Sequence, residues 1–122
     1  DVVVDPLVMP IGAISQAGNQ VFALLRRLRA ELKVNTTCGA SNVSFGLPQR
    51  SGINNAFLPM LIAAGMTSAI VNPLHPELVQ AIRAADVLTG VDDGCSSWIA
   101  AYKDPSSEGK NSREGRRRRR RA

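Results

Sequence analysis

Three short segments rich in apolar and β-branched residues recur along the chain, and each is followed by a polar residue or a turn. Residues 1–4, continued by Leu7 and Val8 beyond Pro6, predict a strand buried on both faces, as in a parallel sheet. Residues 35–43 and 67–71 predict a second and a third strand. The first and third end before a proline, which cannot continue the pairing of a central strand.

Helical periodicity follows the first and second strands. From Asn19, the expected N-cap, apolar residues recur at helical spacing as far as Leu32, and basic side chains occupy the opposite face. Residues 53–64 predict a second helix with Gly65 as its C-cap. Pro59 lies inside this helix, which predicts a kink or a different boundary.

Two more helices follow the third strand. Pro76 stands at the favoured first position of a helix over residues 76–88. Ser96 or Ser97 is the expected cap of a short last helix that ends at Tyr102. The order is therefore β-α-β-α-β-α-α, and the strands begin about every 30 residues, the period of βα units. This predicts an α/β fold with a parallel sheet and right-handed crossovers.

Polar side chains end each predicted strand. They are Asp5, then Ser41 and Asn42, then Asn72. Because ligands of parallel α/β folds bind at the carboxyl edge of the sheet, these residues predict a binding site there. The alternative interpretation is that Asp5 and Asn72, each followed by proline, only begin turns.

Charge divides the chain into two parts. The formal net charge is +5, but nine of the 15 basic residues and three of the ten acidic residues follow Tyr102. The rest of the chain is close to neutral, so the basicity belongs to an appendix. We expect a folded domain over residues 1–103 and a disordered arginine-rich tail over residues 104–122.

No apolar run is long enough for a membrane span, and the start does not resemble a signal peptide. The two cysteines, Cys38 and Cys95, lack the spacing of a metal site and are expected to be reduced thiols. We therefore expect a cytoplasmic protein without a bound metal. The chain opens inside a predicted strand without an initiator methionine, which suggests a fragment.

Several segments together resemble a known family. They are Asp5-Pro6-Leu7, the run Gly39-Ala40-Ser41-Asn42-Val43-Ser44, Arg50, and residues 53–58. These residues are similar to the C-terminal part of the methyltetrahydrofolate-dependent corrinoid methyltransferases, a family of pterin-binding domains. The resemblance extends from Asp1 to about Lys103. It implies a (β/α)8 TIM barrel in which these strands are the sixth, seventh and eighth and the first five units are absent, since a whole barrel needs about 250 residues.

The resemblance also implies a reaction and roles for individual residues. The reaction would move a methyl group from N5 of 5-methyltetrahydrofolate to the cobalt of a corrinoid protein, or the reverse, with the cobalamin carried by that partner. Asn42 matches the catalytic residue whose amide reaches N5. The other residues expected to bind the pterin or folate are Asp5, Gly39, Ser41, Arg50 and Asn72. Asp5 would bind the N–H edge of the pterin, and Arg50 would order the loop or the folate.

Other interpretations stay open. Dihydropteroate synthase shares the barrel and the pterin pocket, but the basic residue expected after its corresponding strand is missing from Ser41-Asn42-Val43. A non-catalytic fragment is a second alternative, in which Arg116 to Arg121 bind nucleic acid or an anionic surface by charge alone, without reading sequence. A homodimer also remains open.

Overall fold

A computed structural model describes residues 2–103; Asp1 and the predicted disordered tail at 104–122 lie outside the described residues. Within this range, the two strands are β1 (Val3–Val4) and β2 (Asn35–Thr36). The same residues form four α-helices, α1 (Ala17–Arg27), α2 (Arg50–Ala64), α3 (Pro76–Leu88) and α4 (Ser96–Tyr102). A π-helical turn (Leu28–Leu32) extends α1, and 3-10 turns cover Ala40–Ser44 and Asp93–Cys95.

The strands pair in parallel and in chain order. Val3 lies opposite Asn35 and Val4 opposite Thr36. Residues 67–71, the third predicted strand, lie on the other side of the chain that continues β2, and we call them the third paired segment. The amide of Ile70 donates to the Cys38 carbonyl at 2.7 Å, and Gly39 pairs with Ile70 in a parallel bridge. Helices connect these paired segments, which confirms the predicted alternating α/β order.

The regular strands are shorter than the sequence predicts. The prediction of a strand over residues 35–43 is wrong beyond Gly39, because residues Ala40–Ser44 form a 3-10 turn. Two backbone hydrogen bonds close the turn. The backbone amide of Asn42 donates to the Gly39 carbonyl at 3.2 Å, and the backbone amide of Phe45 donates to the Asn42 carbonyl. A strand ladder at these positions would need those same groups.

Only one face of the sheet is covered among the described residues. Thr36, Cys38 and Ala40 point toward the helices and are at most 2% exposed. Residues of the opposite face include Val3, which is 56% exposed, and Ile70, which is 70% exposed. The prediction that the first strand is buried on both faces is therefore wrong for Val3. We call the side that carries Val3, Gly39 and Ile70 the open face.

The core lies between the sheet and the first three helices. From α1, Val21, Phe22 and Leu25 are buried, and the ring of Phe22 lies 5.7 Å from that of Phe57 in α2. Leu58 and Leu61 of α2 are also buried. The predicted apolar stripe of α1 is correct at Val21 and Leu25 and too long at its end, where Leu32 is 63% exposed.

Some helix ends have the capping residues that the sequence predicts for them. Gly65 has φ +113° and is the C-cap of α2, with the Met66 amide donating to the Leu61 carbonyl, which confirms its predicted role. Pro76 is the first residue of α3, also as predicted. The prediction that Asn19 is the N-cap of α1 is wrong, because the N-cap is Gln16. The side-chain amide of Asn19 donates to Oε1 of Gln16 at 2.9 Å.

The start of α2 and the cap of α4 differ from the predictions. Helix α2 begins three residues earlier than predicted, at Arg50, and it continues through Pro59. The N-cap residue of α4 is Cys95 and neither of the predicted serines. Two amides of the first turn, those of Ser97 (2.9 Å) and Trp98 (2.8 Å), donate to the carboxylate of Asp92, which lies before the helix.

None of the helices within residues 2–103 combines the length and the apolar character that crossing a bilayer requires.

Candidate functional site

Asn42 and Gly39 are neighbours at the carboxyl end of β2. Asn42 is exposed on the 3-10 turn, and its Nδ2 lies 3.8 Å from the position that a Cβ of residue 39 would take. Gly39 pairs with Ile70 in the sheet, so the two share the open face. The side-chain amide of Asn42 therefore lies beside Gly39, whose partner in the sheet is the exposed Ile70.

Asp5 follows β1 and reaches the same end of the sheet. Its Oδ1 accepts a hydrogen bond from the Leu7 amide at 2.8 Å, and Leu7 has φ +62°. The thiol of Cys38, one residue before Gly39, has a pKa raised to about 11, first by burial and second by the negative charge of Asp5. Asp5 lies directly after β1, the strand that pairs with β2.

Arg50, the first residue of α2, holds the turn that carries Asn42. Its Nε donates to the Ser44 hydroxyl at 3.0 Å, and its Nη2 donates to the Ser41 carbonyl at 2.8 Å. Its guanidinium carbon also lies 6.0 Å from the centroid of the Phe45 ring. Arg50 thus orders residues 41–45, one of the two roles expected for it from the sequence.

Ser44 and Asn54 also support this turn, and neither is among the site residues predicted from the sequence. Ser44 is fully buried, and its hydroxyl lies 2.8 Å from Asn54 Oδ1 and 3.1 Å from the Ser41 carbonyl. The single hydroxyl proton is donated to one of these oxygens while Oγ accepts from Arg50. The available signal was the spacing of Arg50 and Asn54, four residues apart and so on one face of α2.

Asn72 follows the third paired segment. Its Oδ1 accepts from the Leu74 amide at 3.0 Å, and its Nδ2 lies 3.4 Å from Nε2 of His75. Asp5 and Asn72 each accept a hydrogen bond from the amide two residues further on, so each of them begins a turn. In both residues, the atom that accepts this hydrogen bond is Oδ1.

A cavity of about 340 Å³ lies between the first turns of α2 and α3, and we call it the α2–α3 cavity. Three of the predicted site residues line it, namely Ser41, Arg50 and Asn72. Asp5, Gly39 and Asn42 do not. Of those three, Asn42 lies beside Gly39 at the open face, and Asp5 follows β1.

Among residues 2–103, no group of three or more His, Cys, Asp and Glu side chains is arranged to hold a metal ion. The ionisable and amide side chains at this edge of the sheet are groups that can bind a polar organic molecule through hydrogen bonds.

No family model matches this sequence. A curated protein, the methylcorrinoid:tetrahydrofolate methyltransferase of Eubacterium limosum, is 32% identical to it over 101 residues. The matched region covers 82% of this chain and 37% of that enzyme, so the chain spans little more than a third of the length of its relative. The match confirms the resemblance predicted from the sequence: the chain is a homologue of a methylcorrinoid:tetrahydrofolate methyltransferase over that region.

Proposed function

We propose that this chain forms part of a pterin-binding (β/α)8 barrel that transfers a methyl group between N5 of tetrahydrofolate and the cobalt of a corrinoid protein. The paired segments follow chain order across the sheet, and the described core lies on one side of it. A barrel has this arrangement, whereas a doubly wound fold reverses its strand order and has helices on both faces. These features favour three neighbouring barrel units, which we assign as the sixth to the eighth.

The observation that carries the proposal is the position of Asn42 beside Gly39 at the open face. A pterin is flat, so it needs a surface without protruding polar side chains and hydrogen-bonding groups at its rim. Gly39 and the exposed Ile70 provide such a surface, and the Asn42 amide lies next to Gly39. Asp5, near the end of the neighbouring strand, provides a carboxylate for the N–H groups of the pterin edge.

The chemistry requires stabilisation of N5 as the methyl group moves. When the methyl leaves N5 for Co(I), the cobalt supplies the electron pair of the new bond, the C–N electron pair stays on N5, and N5 takes up a proton from solvent. In the opposite direction, N5 attacks the methyl of methylcobalt, Co(I) retains the bonding pair, and the proton is released. A carboxamide is too weak an acid to transfer a proton to N5 at neutral pH, so Asn42 acts by donating a hydrogen bond that strengthens as charge develops on N5.

Tetrahydrofolate and a corrinoid are therefore the substrates that we assign to the complete site, and the corrinoid enters on its own carrier protein. The name of the E. limosum relative supports both assignments. It states methyl exchange between a methylcorrinoid and tetrahydrofolate for that enzyme, and we favour the same pair here.

Calorimetric titration of the full chain with 5-methyltetrahydrofolate tests the proposal. We expect saturable binding that Asp5→Ala and Asn42→Ala each weaken by roughly tenfold, the loss of about 1.4 kcal/mol. Asn19→Ala, which removes an exposed asparagine on α1, is the matched control and should bind as the wild type does. No binding by the wild-type chain would refute a pterin site in this molecule, and equal binding by all variants would refute the residue assignments.

A further inference from the structure

The α2–α3 cavity has a polar lining that the proposed methyl transfer does not use. Its polar residues come from four segments that the fold brings together: the 3-10 turn, α2, the loop after the third paired segment, and the residue before α3. They are Ser41, Arg50, Ser51, Asn54, Asn72 and His75. The volume of about 340 Å³ falls within the range of roughly 300–1,000 Å³ that small-molecule sites occupy.

The composition of this lining favours an anion. The cavity contains one guanidinium, one imidazole and several hydroxyl and amide donors, and no aspartate or glutamate lines it. Arg50 is held in place by its hydrogen bonds to Ser44 and Ser41. A cation with a fixed orientation binds a carboxylate at a smaller entropic cost than a mobile one.

The apolar part of the lining limits the class of ligand further. Ala40, Leu58, Val71 and Leu78 contribute the remaining wall, so the cavity combines a charged end with a hydrocarbon surface. An organic acid with methylene groups matches both parts, whereas an inorganic anion matches only the first.

We propose that the α2–α3 cavity binds the glutamate end of the folate, with a carboxylate at Arg50 and its methylene groups against the apolar wall. The proposal rests on the proposed function. Folate carries its pterin at one end and an aminobenzoyl-glutamate with two carboxylates at the other. Ser41 lines the cavity, and Asn42 follows it in the same 3-10 turn, so this turn contributes to both parts of the proposed site.

The single histidine of the chain provides a direct probe, because His75 lines the cavity and has the only imidazole signals in a proton NMR spectrum. We titrate the full chain with p-aminobenzoyl-glutamate and follow these signals. p-Aminobenzamide, which has the ring without carboxylates, is the control ligand. We expect a saturable shift with the first compound and none with the second. No shift with p-aminobenzoyl-glutamate, or equal shifts with both compounds, would overturn the proposal.

A pair of variants separates charge from shape. Ser51→Glu introduces a carboxylate into the cavity in the first turn of α2, where the helix dipole favours a negative charge, so the fold is expected to tolerate it. Ser51→Gln has similar size and no charge. We expect Ser51→Glu to weaken p-aminobenzoyl-glutamate binding by roughly tenfold or more, because juxtaposed like charges repel, and Ser51→Gln to stay within about twofold of the wild type. Equal affinity of the two variants would overturn the assignment.

Titration with 6-methyltetrahydropterin, which lacks the aminobenzoyl-glutamate, distinguishes failure of this inference from failure of the proposed function. Binding of the pterin without binding of p-aminobenzoyl-glutamate would refute the cavity assignment alone. Binding of p-aminobenzoyl-glutamate without the pterin would refute the proposed function, and with it the identification of the cavity ligand as folate.

Discussion

The turn that carries Asn42 depends on Arg50, and the energy of that dependence can be measured. Arg50 donates two hydrogen bonds to the turn, one to the buried hydroxyl of Ser44 and one to the carbonyl of Ser41. Hydrogen bonds from a charged donor contribute about 1.5–3 kcal/mol each when they are protected from water. Because Arg50 is exposed, water replaces part of this energy, and we expect Arg50→Ala to lower the free energy of unfolding by about 1–2 kcal/mol.

Ser44→Ala perturbs the same contact from the other side. Its hydroxyl is fully buried and lies 2.8 Å from Asn54 Oδ1, so removal leaves two polar partners unsatisfied and should cost about 1–3 kcal/mol. The double variant should cost less than the sum of the single variants, because each of them already breaks the Arg50–Ser44 bond. We expect a coupling energy of about 1 kcal/mol.

Urea unfolding followed by far-ultraviolet circular dichroism measures these energies for the four proteins of the cycle. Arg26→Ala removes an exposed arginine from α1 and is the matched control, with an expected change within about 0.5 kcal/mol. Arg50→Lys should recover only part of the loss, since an ammonium group lacks the planar arrangement of donors that reaches both acceptors. Additive single variants, or Arg50→Lys as stable as the wild type, would refute the argument that Arg50 organises this turn.

Two further predictions concern groups outside the turn. With iodoacetamide at pH 8, we expect the half-buried Cys95 of the folded chain to be labelled and Cys38 to stay unlabelled. The reason is that burial, with a smaller effect of Asp5, raises the pKa of the Cys38 thiol to about 11. Mass spectrometry counts the labels, and two labels on the folded chain would contradict this expectation. The amide of Ser97 lowers the pKa of the Asp92 carboxyl, so the ionised carboxylate stabilises α4 above about pH 4 and this stabilisation is lost as the pH falls through the lowered pKa. The fluorescence of Trp98 should report the loss below pH 4 in the wild type and not in Asp92→Asn, and identical pH profiles would disprove the capping role.

The sequence was most informative where a local signal determines the backbone. Helix α3 has its predicted boundaries because Pro76 favours a helix start. Gly65 marks the end of α2 because few residues other than glycine adopt φ +113°. The start of α2 was missed because Gln49 precedes it with φ +55° and without a side-chain cap, so residues 49 and 50 carry none of the usual signals.

The end of β2 could not be predicted because it depends on contacts distant in sequence. Val43 has a side chain that favours strands, yet it lies in a 3-10 turn. That turn is held from outside by Arg50, which bonds the Ser41 carbonyl nine residues earlier. A pattern of apolar residues does not contain this information, since it reports burial and not hydrogen-bond partners.

The candidate site was predictable in its location and not in its arrangement. The alternation of strands and helices indicated that Asp5, Asn42 and Asn72 follow neighbouring parallel segments, as the strand pairing shows. Whether each side chain lies at the open face or in the α2–α3 cavity depends on the turns after the strands. These turns have individual geometries, which the strand period does not determine.

The open face connects the fold to the proposed chemistry. Parallel sheets occur almost only with both faces covered, because their residues are apolar on both sides. Here the core covers one face, while Val3 and Ile70 are more than half exposed on the other. Exposed apolar residues beside convergent polar groups are typical of a surface that binds a partially apolar ligand. A pterin against Gly39 and Ile70, bonded at its rim by Asp5 and Asn42, would cover apolar surface and satisfy polar groups at once. If that is correct, Ile70→Ser should weaken binding of 6-methyltetrahydropterin while leaving the far side of the sheet, and hence the core, unchanged.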